Sequence, residues 1–234
     1  LEAPHGALRA KVFRAGPPLA LSDLLPLFED TGVQVADERP YSIHPRDQEG
    51  VRIYDFGLTY EGEEELETDR LRDTFQDAFV RAWRGDVESD SYNRLVLRAG
   101  LSWRETTVLR AIGRYLRQAG TTFSDRYVEQ ALVSHPQVAR LLLDLVLARF
   151  DPDQADAAHA AELAEEISSQ IDAVESLDQD RILRSFLDVV TATLRTNFFQ
   201  RTADGSRKTY LSFKLDPEQL SWLPLPRPRY EIFV

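Results

Sequence analysis

Four histidines, three lysines and no cysteine set narrow limits on the chemistry open to this chain of 234 residues. His5, His44, His135 and His159 show neither the i, i+4 pairing nor the cysteine partners of a zinc site, so each reads as a surface or capping residue. Without cysteine there is no disulfide, thiolate metal site, iron–sulfur cluster or thiol nucleophile. Asp151, Asp153 and Asp156, followed by Glu162, resemble the start of a calcium loop. The sixth position, where such a loop needs glycine, is Asp156, and Ala155 fills a ligand position, so the run reads as a helix start with acids at the positive dipole end. Ser22-Asp23 and Ser124-Asp125 fit helix capping. Arg110, Arg114 and Arg117 share one side of a helical stretch and could grip a carboxylate or phosphate. Pairing with the acidic segment 151–180, which has ten acids and no Lys or Arg, is the simpler reading. Lys11, Lys208 and Lys214 leave little for amine or carbonyl activation, and no glycine spacing matches a dinucleotide or Walker loop. The residues by themselves form no catalytic constellation.

The elements that would position these residues fall into three groups. Leu8, Ala10 and Val12 alternate with Arg9, Lys11 and Phe13 as a half-buried strand. Gly16-Pro17-Pro18 breaks it, and Leu21, Leu24, Leu25 and Phe28 follow at helical spacing, with Ser22 as the candidate N-cap and Gly32 at the end. Val33 to Ile43 and then Tyr54, Phe56, Leu58 and Tyr60 read as strands. After an acidic linker from Glu61 to Glu67, Leu71, Phe75, Ala78, Phe79 and Ala82 make a helical stripe. Strand, helix, strand, strand, helix is a ferredoxin-like split motif that lacks only its last strand.

From Ser89 to about Gln200 the pattern is helical. Gly100 and Gly120 end two stripes, Ser124 and Pro136 start two more, Asp151-Pro152 precedes an alanine-rich helix, and Ser176 or Asp178 starts the last, whose face runs from Ile182 to Leu194 and Phe198. These helices predict a bundle. Tyr210 to Leu215 and Tyr230 to Val234 read as strands on either side of an extended proline-rich stretch. The predicted class is therefore α+β: a βαββα module over 1–86, a helical bundle over 87–200 and a β segment over 201–234.

Composition bounds the function further. With 43% hydrophobic and 29% charged residues the chain reads as globular, and its net charge of -11 disfavours nucleic acid and anionic membranes as partners. The absence of methionine, together with an apolar strand running into Val234, predicts a piece of a longer protein.

Several ordered blocks carry a resemblance. Leu21-Ser22-Asp23-Leu24-Leu25-Pro26, Asp37-Glu38-Arg39-Pro40-Tyr41, Asp55-Phe56-Gly57-Leu58 and Arg98-Ala99-Gly100-Leu101-Ser102-Trp103-Arg104-Glu105 are similar to the middle region of the large bacterial NAD-specific glutamate dehydrogenases. Tyr115-Leu116-Arg117-Gln118, Arg181-Ile182-Leu183-Arg184, Ala192-Thr193-Leu194-Arg195-Thr196-Asn197, Tyr210-Leu211-Ser212-Phe213-Lys214 and the run from Pro224 to Val234 continue in the same order. The resemblance implies a cytoplasmic homo-oligomeric parent that deaminates L-glutamate oxidatively with NAD. It also implies that this stretch precedes the catalytic and NAD-binding blocks, so no catalytic, NAD-binding or metal residue carries over. The segment alone is expected to be inactive, to bind no cofactor and to pack against other domains of its own chain.

The resemblance also identifies the first 86 residues as an ACT-like module. Such a module can hold an amino-acid effector beside its first strand–helix loop, here Gly16 and Leu19 leading into Ser22 and Asp23. Pro17 and Pro18 remove backbone donors there, which weighs toward a structural or oligomerising role. A free-standing amino-acid-binding regulatory module is the alternative reading.

Overall fold

A computed structural model describes residues 8–44, 50–60 and 68–234. His5, the 45–49 part of the turn before Gly50, and the acidic linker 61–67 lie outside the described residues. The chain divides into two compact units, Leu1–Trp103 and Arg104–Val234.

The first unit has the expected α+β order: β1 (Leu8–Ala15), α1 (Leu21–Asp30), β2 (Val33–Ile43), β3 (Val51–Tyr60) and α2 (Thr68–Arg84). The three strands are antiparallel in the order β1-β3-β2, which leaves β1 and β2 as edges. Alternation decides the buried face. Tyr54, Phe56 and Leu58 of the central strand pack with Leu24, Leu27 and Phe28 of α1 and Phe79 of α2. Phe28 lies 5.1 Å from Phe56 and 4.7 Å from Phe79, ring centre to ring centre, so the core is an aromatic cluster. A turn of 3-10 helix at Ser91–Arg94, capped by the Asp90 carboxylate, and α3 (Leu95–Arg98) complete the unit, with Leu97 joining its core.

Gly32 ends α1 as expected. Its φ of +85° is left-handed backbone, and its N–H donates to the Glu29 carbonyl at 3.0 Å. The start of α1 departs from expectation. Ala20 is the N-cap and makes no side-chain cap bond, while Ser22 sits one residue inside the helix with its hydroxyl 3.4 Å from the Asp23 carboxylate. A serine beyond the cap position cannot reach back to the free N–H groups of the first turn, so the sequence cue pointed to the wrong residue.

The second unit holds most of α4 (Trp103–Gln118), then α5 (Asp125–Ser134), α6 (Pro136–Phe150), α7 (Ala157–Asp172) and α8 (Leu177–Ala192). Ser124 and Ser176 cap α5 and α8 through their hydroxyls, as their positions predict. Pro136 opens α6, and its axis turns 93° from that of α5. Among the described residues no single helix is long and apolar enough to cross a membrane, although α5 and α6 pass that test together as a bent pair. Asp156, not Asp151, caps α7, accepting from the N–H groups of Ala158 and His159. Asp151 instead accepts from the N–H of Asp153 in the turn that Pro152 enters.

The last helix is shorter than its apolar stripe. It ends at Ala192, and Thr193–Thr196 is a strand, β4, paired with β5 (Phe213–Leu215), which pairs in turn with β6 (Glu231–Phe233). Leu194 and Phe198 therefore do not extend the helical face. Thr193 turns extended and its hydroxyl closes on the Val189 carbonyl at 2.7 Å, which satisfies the helix end while the backbone enters the ladder. The Tyr210–Leu215 strand is likewise confined to its last three residues.

Candidate functional site

Among the residues proposed around the first loop, the Leu19 and Asp23 N–H groups are already engaged. The Leu19 N–H donates to the Tyr54 hydroxyl at 2.9 Å, and the Gly16 carbonyl accepts from the Arg52 guanidinium. The Asp23 N–H turns into the helix, onto the Ala20 carbonyl at 3.0 Å. Ser22 and Asp23 are both exposed and face each other more than they face the loop. Tyr54 and Arg52, from β3, thus tie down the turn between β1 and α1, a role that alternation along β3 could not reveal because the contact spans 35 residues.

The open face of the same sheet carries an ion cluster. The Arg9 Nε donates to Asp55 at 2.9 Å, its Nη1 to Asp37 at 3.3 Å, and Lys11 lies 4.0 Å from Asp55. Asp55 is buried, and its hydrogen bond is the largest cause holding the Arg9 guanidinium above its ordinary pKa. Gly57, opposite both Arg9 and Asp37 in register, gives this cluster its room: a Cβ there would stand 2.2 Å from the Asp37 carboxylate.

A second concentration of polar groups surrounds the small sheet of the second unit. A shallow cleft of about 490 Å³ there is lined by Arg149, Arg195, Asn197, Tyr210 and Lys214 among others. Asn197 is buried and stitches the loop 197–212 shut: its Nδ2 donates to the Tyr210 carbonyl at 3.0 Å and its Oδ1 accepts from the Ser212 N–H at 2.7 Å. Arg149 donates to the carbonyls of Val190 and Thr193, where α8 gives way to β4, and burial lowers its pKa below the ordinary value. Arg104 does the same for the far side of the loop, donating to the Phe198 carbonyl at 3.0 Å, with its pKa lowered by burial and by the neighbouring Arg207 and Arg201. Lys214 sits 4.1 Å over the Tyr230 ring. The arginines best placed for chemistry are thus holding backbone carbonyls. Residue types pointed to none of these roles; only the Thr196-Asn197 and Ser212-Phe213-Lys214 blocks marked the region.

The other candidates resolve into structure. Arg117 pairs with Asp125 at 2.5 Å, at the start of the next helix, and not with the acidic 151–180 segment. His135 shares a hydrogen bond with Gln179 at 3.0 Å, and His159 lies 3.7 Å from Glu162 on one helix turn. Among the described residues no three His, Asp or Glu side chains gather where they could hold a metal ion.

Three models of protein domains match the chain in succession. Residues 1–71 match "Glutamate dehydrogenase, ACT3 domain", residues 87–152 match "Glutamate dehydrogenase, helical motif 3", and residues 166–234 match "Bacterial NAD-glutamate dehydrogenase, catalytic domain". The last begins inside α7 and takes in α8, the small sheet and the Asn197 loop. Among curated proteins, the chain is 41% identical over 235 residues to an NAD-specific glutamate dehydrogenase of Halomonas elongata, with all of this chain and 14% of that protein covered. Proteins of the same name from Pseudomonas aeruginosa and Mycobacterium tuberculosis are 42% and 41% identical, over 97% and 98% of this chain and 14% and 15% of their own length.

Proposed function

The chain belongs to the bacterial NAD-specific glutamate dehydrogenases over a stretch that amounts to 14% of the length of its first relatives, and from that premise we propose that it is a noncatalytic structural and regulatory part of such an enzyme. The parent oxidatively deaminates L-glutamate to 2-oxoglutarate and ammonia, with NAD as the hydride acceptor, as a cytoplasmic homo-oligomer. The ACT-like module serves assembly and regulation, and the helices carry the chain into the stretch matched by the catalytic-domain model.

One observation carries the noncatalytic reading. Asn197, within the stretch that model matches, and Arg104 and Arg149, which lie before it, bond to backbone carbonyls and amides of their own unit, so they shape the entry of the domain instead of touching substrate. The segment binds no NAD of its own, and its partners are the other domains of the same chain. In the first loop the Leu19 N–H is already engaged by Tyr54, which favours the structural role over effector capture at Gly16, Leu19, Ser22 and Asp23.

Following NADH absorbance with glutamate and NAD tests the proposal. Under conditions where the full-length Pseudomonas aeruginosa relative turns over, the purified chain is expected to form no NADH. Glutamate-dependent NADH formation by the chain alone would overturn it. Submillimolar calorimetric binding of an amino acid, lost in a Ser22→Ala, Asp23→Ala double variant, would return the free-standing effector module to first place.

A further inference from the structure

The loop that Asn197 closes gathers positive charge. Between Asn197 and Ser212 the sequence has three cations, Arg201, Arg207 and Lys208, and one acid, Asp204. Arg201 and Arg207 face each other directly, as an isolated antiparallel bridge. Directly opposed residues of such a bridge send their side chains to one side, and like charges there repel. The Thr202 N–H donates to the Ser206 carbonyl at 2.8 Å and the Gly205 N–H to the Thr202 carbonyl at 2.9 Å, so the backbone of the turn holds the two arginines opposed. Asp204, in the turn between them, is engaged elsewhere. Its carboxylate accepts from the Thr202 and Ser206 hydroxyls and from the Ser206 N–H, which hold its pKa down to about 2.

Arg104 brings a third guanidinium. It and Arg207 donate to the same carbonyl, that of Phe198, at 3.0 and 3.3 Å, so two cations meet at one oxygen. Burial first, then Arg207 and Arg201, lower the Arg104 pKa, which places it in the field of both. Its Nε is buried without a hydrogen bond. Arg201 donates to the Gly205 carbonyl at 2.9 Å, inside its own turn. Every residue from 104 to 234 is described, and no carboxylate among them pairs with Arg104, Arg201 or Arg207. In a chain whose net charge is -11, three guanidiniums are thus held together without an acid.

We propose that Arg201, Arg207 and Arg104 form a binding site for a phosphate group, held by the exposed guanidiniums of Arg201 and Arg207 with Arg104 adding its charge. A phosphate brings about two negative charges and acceptor oxygens on several sides, which suits two guanidinium forks at once. A carboxylate brings one charge and leaves the cluster positive. Because two of the cations converge on a single carbonyl, the site is a point and not a stripe, which favours a small phosphate over an extended acidic chain. The site is independent of whether the chain turns over glutamate.

Titration calorimetry of the intact chain with inorganic phosphate and with methyl phosphate, at constant ionic strength, tests the site. Saturable binding is expected, weakened at least about tenfold in Arg201→Gln and in Arg207→Gln, and at least about tenfold tighter than that of acetate. Comparing the two phosphates tells a free ion from an ester, and saturable binding of either supports the site. Arg201→Glu, which sets a carboxylate opposite Arg207, is expected to melt no lower than the parent without phosphate and to gain less from added phosphate, a pair of results that a misfolded variant could not give. The proposal is overturned if neither phosphate binds saturably, if the Gln variants bind like the parent, or if acetate binds as tightly as phosphate. It is also overturned if phosphate raises the melting temperature of the parent and of Arg201→Glu equally, since that is the general effect of an excluded salt.

Discussion

The Tyr115 hydroxyl is a hydrogen-bonded ionisable group in the core of the second unit. The side chain is 1% exposed, its ring meets Phe233 edge-on, and its hydroxyl donates to Glu231 at 2.9 Å. Burial first, and the Glu231 bond second, push the phenol far above its ordinary pKa. A raised folded pKa means that the contribution is complete below the unfolded value near 10 and is lost as pH rises through the folded one. We expect unfolding free energy to fall in strong alkali and to fall less in Tyr115→Phe, which itself costs about 1 kcal/mol at neutral pH by urea denaturation. An equal alkaline slope in both chains would remove Tyr115 as the cause. Asp188 gives the complementary case. It accepts from the Trp222 indole at 3.0 Å, yet burial dominates and raises its pKa. Its contribution is present in acid and lost as pH rises through the folded pKa, so Asp188→Asn, which keeps the acceptor, is expected to match the parent in acid and exceed its stability at neutral pH. A variant less stable than the parent at neutral pH would contradict this.

The elements show where periodicity is informative and where it fails. The buried faces of β3 and α7 are those that alternation and helical spacing predict, with Phe56, Leu163, Ile167 and Ile171 facing inward, while in α1 Leu24 and Phe28 face inward as expected but Leu21 is exposed and Leu27 takes its place. Apolar spacing reports a local period, and burial of one face selects for that period directly. The end of α8 was not legible this way, because Leu194 fits the helical stripe as well as a strand. What stops the helix is a partner strand at 213–215 and the Arg149 guanidinium from α6. Gly57 is a quieter case. In sequence it looks like a weak point of a strand, whereas in the sheet it makes room for the Arg9–Asp37 pair. Gly57→Ala is expected to push Asp37 aside, keep the Arg9–Asp55 bond and cost less than about 1 kcal/mol, since the lost pair is exposed. That cost should fade as salt is raised; a loss of several kcal/mol that persists at high salt would show that Asp37 cannot yield.

At the scale of the whole chain, two units each carry a core of their own, one aromatic and three-stranded, the other helical. A cavity cut into one core should therefore be felt within its own unit. Leu24→Ala, at a fully buried position, is expected to cost about 2–5 kcal/mol and to raise hydrogen exchange in peptides from 1–103. Peptides from 104–234 should keep their protection, and equal loss in both sets would mean that the chain unfolds as one body. The same division bears on the function proposed above, because assembly and regulation are assigned to one unit and entry into the catalytic stretch to the other.

The sequence alone determined the element order up to α8, most of the faces that those elements bury, the absence of cysteine chemistry and the family to which the ordered blocks belong. These rest on local period, residue type and order, all of which a chain carries before it folds. The tertiary structure alone decided that Tyr54 occupies the Leu19 N–H, that Arg149 holds the end of α8 and that Asn197 closes its loop. Each depends on groups that are distant in sequence and meet only in the fold. Hydrogen-bond partners are properties of proximity, and proximity is set only when the backbone closes.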